Sequence, residues 1–159
     1  MKEISARVDQ KPTKEDLVFV TESLGRKPEG LFEVAVRDEA GNPRVIRNYP
    51  LLPNGKPMPT MYWLVDPLIR SKIGTLESQG GVKQAEKECD PKSIAEAHDR
   101  YRKERDHQLP DSHSGPKPSG GVGGTRKGVK CLHAHYAWFL VGGDDPVGEW
   151  VEAALKEAT

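Results

Sequence analysis

The sequence is short of apolar side chains, at 35%, and of aromatic ones, at 6%. Its longest apolar run, Tyr136 to Val141, falls far below the roughly 18 residues a bilayer-crossing helix needs. The first residues, Met1 to Arg7, lack the apolar centre of a signal peptide, and a cytoplasmic protein is expected. Two cysteines, Cys89 and Cys131, are too few for a disulfide framework, and a reducing compartment makes a bond between them unexpected. Net charge is also missing. Lys plus Arg and Asp plus Glu are both 24, so no overall field steers the chain toward nucleic acid or an anionic membrane, and any anion site must be local. A nucleic-acid module would need a basic patch with interleaved aromatics, and it is not expected here.

What is present is a loop-rich chain of 159 residues with 16 Gly and 13 Pro. That length suits one domain with a modest core, expected over 13–159 after a flexible N-terminus of residues 1–12. Thr13 followed by two acids opens an apolar-periodic helix over 14–24, which Gly25 ends. Alternation over 31–37, a turn at Glu39 to Pro43 and a return over 44–49 predict a hairpin. Four prolines between 50 and 59 break the ladder, and Thr60 to Val65 reads as a third strand. Pro67 and Pro91 stand at favoured first positions of helices over about 67–79 and 91–108, with a short one at 82–88 between them. Residues 109–124 form a loop, 126–141 a helix, and Asp145 with Pro146 starts the last helix over about 146–157. The expected class is α+β: about three antiparallel strands packed by five or six helices.

Chemistry is densest between Pro118 and Gly148. Gly121, Gly123, Gly124 and Thr125 precede the cations Arg126, Lys127 and Lys130. Flexible backbone N–H groups beside cations at a helix N-terminus favour an anion, so these residues form a candidate phosphate or carboxylate site. The segment is neither a Walker loop nor a dinucleotide fingerprint, because the required lysine spacing and the preceding strand are absent. Tight glycine packing beneath solvated cations is the competing reading. His98, Arg102 and Arg105 on the 91–108 helix can add a second cationic wall; equally, Glu104 to Asp106 reads as a solvated face. Cys131, His133 and His135 follow. On a helix Cys131 and His135 share a face while His133 points away, whereas on a strand all three align. They suit a zinc or iron ion, or else a small core thiol and a satisfied core histidine. An enzyme built this way would perform metal-assisted hydrolysis or phosphoryl chemistry, with His133, His135 or His98 as acid or base. Asp144 and Asp145 could serve as general bases or metal ligands, yet an aspartate before proline at a helix start is explained by capping.

The blocks Gly25 to Pro28, Pro59 to Leu64, Leu76 to Gly81, Ala97 to Tyr101 and above all Gly120 to Gly148 resemble the domain of unknown function 501 family. The resemblance covers most of the chain and implies an actinobacterial, cytoplasmic housekeeping setting. Family genes adjoin those for enolase, a septum-formation initiator and an exopolyphosphatase-like protein. It therefore also implies an alternative, a non-catalytic protein-interaction module linked to cell division or polyphosphate metabolism, with the Cys/His motif as a structural staple. Many members of the family carry Cys where this chain has Asp38 and Asp66. Carboxylates in place of thiols at both positions imply that Asp38 and Asp66 join Cys131 and His135 as metal ligands, or that both positions simply tolerate polar residues at strand ends.

Overall fold

The computed structural model describes residues 11–158; apart from Lys11 and Pro12, the expected flexible N-terminus lies outside them. Helix α1, Lys14–Leu24, begins with a reciprocal cap. The Thr13 hydroxyl accepts from the Asp16 amide, and the Asp16 carboxylate accepts from the Thr13 amide. Gly25, at φ 76°, turns the chain out of the helix in the left-handed conformation glycine tolerates.

Strands β1, Phe32–Arg37, and β2, Pro43–Asn48, form the expected antiparallel hairpin. Asp38 closes its turn, one carboxylate oxygen accepting from the amides of Ala40 and Asn42, each at 2.9 Å. Strand β3, Tyr62–Leu64, pairs antiparallel with β2, giving the order β1-β2-β3. It is shorter than the predicted 60–65 because the amides of Val65 and Asp66 both turn to the Arg44 carbonyl as the chain enters the next helix.

Three helices start alike. Helices α2, Pro67–Ser78, α4, Pro91–Asp106, and α6, Pro146–Glu157, each follow an aspartate. Asp66 accepts from the amides of Leu68 and Ile69, Asp90 from Ser93, and Asp145 from Val147. Proline needs no donor partner at the first helical position, while the carboxylate satisfies an orphan amide and favours the positive end of the helix dipole. Helix α3, Gly81–Glu88, lies between α2 and α4.

Helix α5, Leu132–Leu140, occupies the centre, packed on β3, α2 and α6. Leu132, His135, Tyr136, Ala137 and Trp138 are all buried on it, as expected of a helix apolar around most of its circumference. Around it close Ile94, Ala97 and Tyr101 of α4 and Val147 and Val151 of α6. Tyr101 meets Trp138 edge to face, with centroids 5.2 Å apart. Val20, Phe32, Ile46 and Val65 form a smaller cluster beneath α1. No helix among the described residues is long and apolar enough to cross a membrane.

Two expectations are corrected. The helix predicted over 126–141 begins six residues later, at Leu132. Gly128 sits at φ 65°, outside helical geometry, and the next amide, that of Val129, is taken by the Glu86 carboxylate of α3 at 2.8 Å. Nor is Arg105 a solvated residue or part of a cationic wall. It is fully buried, donating to the carbonyls of Pro59 at 3.0 Å, Ser119 at 3.4 Å and Pro118 at 3.3 Å.

Asp16 also answers across elements, receiving two 2.8 Å bonds from the Arg37 guanidinium of β1. These bonds hold its carboxyl down at about 2, against the opposing effect of burial. A carboxylate whose folded pKa lies below its unfolded value stabilises the fold above the unfolded pKa. That stability is lost as pH falls toward 2. Asp16→Asn is expected to cost about 1–2 kcal/mol at neutral pH, allowing for the partial exposure of Arg37. Urea unfolding followed from pH 7 to pH 2.5 would show the loss of stability between about pH 4 and pH 2 flattened in the variant; an unchanged acid limb would exclude this pair as its source.

Candidate functional site

The glycine-rich loop folds back on itself. A 3₁₀ turn, Val122–Gly124, follows Gly121, whose amide donates to the Thr125 carbonyl at 2.7 Å. The Val122 amide donates to Nδ1 of His98, and those of Gly124 and Thr125 close on Gly121 and Val122. Most donors that an anion would need are therefore spent inside the fold. A Cβ at Gly121 would lie 2.5 Å from the His98 Cβ, so that glycine permits close packing. Gly123 and Gly124 take positive φ of 68° and 80°. The Thr125 hydroxyl donates to the Lys127 carbonyl, and Arg126, Lys127 and Lys130 stand exposed.

Beside this loop, Arg102 and Arg126 line a cleft of about 520 Å³ with Asp99 and Asp106. Arg102 is answered there by Asp99 at 2.6 Å and Asp106 at 3.8 Å. The cleft thus carries its own counter-charge.

His98 and His135 lie behind the loop, with ring centroids 5.6 Å apart. His98 receives the Val122 amide on Nδ1, so Nε2 carries the proton and donates to the Gly128 carbonyl at 2.7 Å. Burial pushes its pKa down, keeping the ring neutral. His135 is fully buried, its Nδ1 2.6 Å from the Asp145 carboxylate, and its Nε2 has no partner among the described residues. Neither histidine lines the cleft beside Cys131.

The four residues expected around one ion go separate ways. Asp38 closes the hairpin turn. Asp66 caps α2 and receives Arg44 at 2.9 Å. His135 pairs with Asp145. Cys131 caps the start of α5 with extended φ −144° and ψ 118°, so it does not share the helical face of His135. Its thiol instead lies within 4.8 Å of a ring nitrogen of His133, in the first turn.

Around Cys131 a different group assembles. Donor atoms of Cys131, His133 and Glu77 all lie within 4.8 Å of one another, each residue half-buried. Glu77, near the end of α2, accepts the Leu132 amide on one oxygen at 2.9 Å and brings the other to 3.3 Å from His133 Nδ1. The carboxylate so sits at the N-terminus of α5, where the helix dipole favours it. His133 Nε2 lies 3.1 Å from the Arg70 carbonyl. The bond with Cys131 raises the His133 pKa, burial opposes it, and the Arg70 carbonyl and Glu77 add to the rise. The other thiol, Cys89, lies 3.7 Å from the Pro146 carbonyl; burial first, then the charges of Asp145, Glu88 and Glu149, push its pKa up. Both cysteines are free.

Cys131 and His133 open onto a cleft of about 370 Å³. Arg26, Thr60, Trp63, Arg70 and Gly123 form much of its remaining wall. Arg26 lies over the Trp63 indole, 5.4 Å from the ring centroid. Arg70 reaches back to the Ser23 carbonyl at 2.5 Å, pinning the end of α1 to α2. The sequence hinted at Glu77 in one respect: a carboxylate in the last helical turn opposes the dipole of its own helix. The cleft itself gave no local signal, since its wall comes from α1, β3, α2 and the loop before α5.

Comparison with curated proteins gives no match, and comparison with solved structures gives none either. A family model described as protein of unknown function, DUF501, matches residues 34–153. That span takes in the sheet except the first two residues of β1, α2 to α5, most of α6 and the Glu77, Cys131 and His133 group, and on it the chain belongs to the DUF501 family.

Proposed function

We propose that Glu77, Cys131 and His133 hold one zinc or iron(II) ion, and that the protein uses it to hydrolyse an anionic ester bound in the adjoining cleft. The observation that carries this reading is the gathering of thiol, imidazole and carboxylate donors within 4.8 Å. The surroundings suit it. His133 donates Nε2–H to the Arg70 carbonyl, which leaves Nδ1 as a lone pair turned toward Glu77 and fixes the ring. The second Glu77 oxygen is anchored by the Leu132 amide. A mixed sulfur, nitrogen and oxygen set favours zinc or iron over magnesium or calcium.

Tetrahedral coordination places ligand atoms about 3.5 Å apart, so an ion would draw together donors that now lie within 4.8 Å of one another. Three protein ligands beside a cleft match the pattern of catalytic sites, in which the fourth position takes water, whereas a structural staple is closed by four. A zinc or iron ion held by these three residues would supply Lewis acidity, lowering the pKa of a bound water. The chain's own part is to position the donors, present the ester and exclude bulk water with Trp63 and Leu24.

The test is the metal content of protein purified without a histidine tag. About one zinc or iron per chain is expected, lost in both Cys131→Ala and His133→Ala while far-ultraviolet circular dichroism is unchanged. A wild-type chain that takes up no ion from equimolar zinc, or variants that both keep theirs, would sink the reading.

A further inference from the structure

We infer that the ligand of the cleft beside Cys131 is a small phosphomonoester whose phosphate dianion is gripped by Arg26 and Arg70; this rests on the metal reading above. The cleft's described lining contains both guanidinium groups and no aspartate or glutamate. Arg26 has no carboxylate partner among the described residues, and its guanidinium carbon lies over the Trp63 ring, a contact that consumes no hydrogen-bond donor. Arg70 spends Nη1 on Ser23, and its other N–H groups have no partner among the described residues.

Other arginines near clefts are differently placed: Arg102 is met by Asp99 and Asp106, Arg100 by Asp144, and Arg47 by Glu33, while Arg126 stands exposed in a cleft whose wall includes Asp99 and Asp106. Two uncompensated guanidinium groups converge beside Cys131 instead.

Forked N–H donors match phosphate oxygens in pairs. Two arginines and a divalent ion favour a group carrying close to two negative charges over a single carboxylate. A volume of about 370 Å³ lies at the lower end of small-molecule sites, roughly 300–1,000 Å³, and suits a metabolite-sized ester rather than a polymer. Leu24, Trp63 and Leu64 give the alcohol portion an apolar wall. In the reaction, water oxygen bonds to phosphorus as the ester P–O bond breaks. The departing alkoxide takes the proton lost by water, giving an alcohol and inorganic phosphate with no change of oxidation state.

The experiment titrates zinc-loaded protein with inorganic phosphate in a calorimeter and follows hydrolysis of 4-nitrophenyl phosphate. Arg26→Ala and Arg70→Gln are expected to weaken phosphate binding at least about tenfold each, with zinc content unchanged. Arg70→Lys, which keeps the charge, replaces Arg70→Gln if the latter does not fold. Stoichiometric zinc without phosphate binding, or binding indifferent to both arginines, overturns the inference and leaves the metal reading standing. Loss of binding in Arg126→Ala, with Arg26→Ala binding normally, also overturns it and moves the site to the glycine loop. If no zinc binds, the metal reading fails, and titration of the metal-free chain still decides the cleft: dependence on Arg26 and Arg70 upholds it, and its absence overturns it.

Discussion

Arg105→Met is expected to lower the unfolding free energy by about 3–5 kcal/mol, the cost of removing one partner from a buried charged network. The guanidinium is fully buried, and its donors reach Asp106, Pro59, Pro118 and Ser119. Methionine fills most of the volume yet supplies no donor, so three carbonyls lose a partner at once. These carbonyls belong to two proline-rich connections whose own amides cannot form a ladder, and Arg105 is the clamp that holds both against α4. Arg105→Lys should recover only part of the loss, because one ammonium cannot reproduce the planar fork. In thermal denaturation the methionine variant should melt on the order of 10 °C lower. A drop of less than about 2 °C would show that water or neighbouring donors replace the clamp.

The second large effect is expected for Asp145→Ala, at about 2–4 kcal/mol. One carboxylate oxygen caps α6 through the Val147 amide at 3.0 Å, and the other meets His135 Nδ1 at 2.6 Å, with both side chains fully buried. Loss of the cap costs about 1 kcal/mol, and an unpartnered buried imidazole N–H costs about 1–3 kcal/mol more. Asp145→Asn keeps the capping oxygen but turns an amide toward the imidazole, so an intermediate loss is expected. Urea unfolding of Asp145→Ala, His135→Ala and the double variant reads the coupling. A double variant much less destabilised than the sum of the singles supports a shared interaction. Strict additivity would mean that the two residues act separately.

The local sequence specified much of the frame. Proline at the first helical position marked the starts of α2, α4 and α6, Thr13 with the acids after it marked α1, and alternation gave the hairpin, because these signals act over three or four residues. By its apolar and cationic spacing the stretch from Arg126 to Cys131 reads as helix. What prevents the helix is a pair of distant carboxylates: Glu86 takes the Val129 amide and Glu77 takes that of Leu132.

That displacement changed the chemistry read from Cys131, His133 and His135. On an unbroken helix Cys131 would face His135; as the extended residue before the helix it meets His133 instead. Glu77, Arg26 and Arg70 joined the candidate site from elements that come together only in three dimensions, while Asp38 and Asp66 were claimed by a turn and a cap. Arg105, one more charge in a charged helix by sequence, is the most enclosed arginine among the described residues.

The sequence by itself determined the order of helices and strands, their caps and the density of polar chemistry before α5, because capping and periodicity depend on near neighbours. Tertiary structure decided which thiol, imidazole, carboxylate and guanidinium groups face one another. Side-chain partners tens of residues apart are set by packing, and no local spacing encodes them.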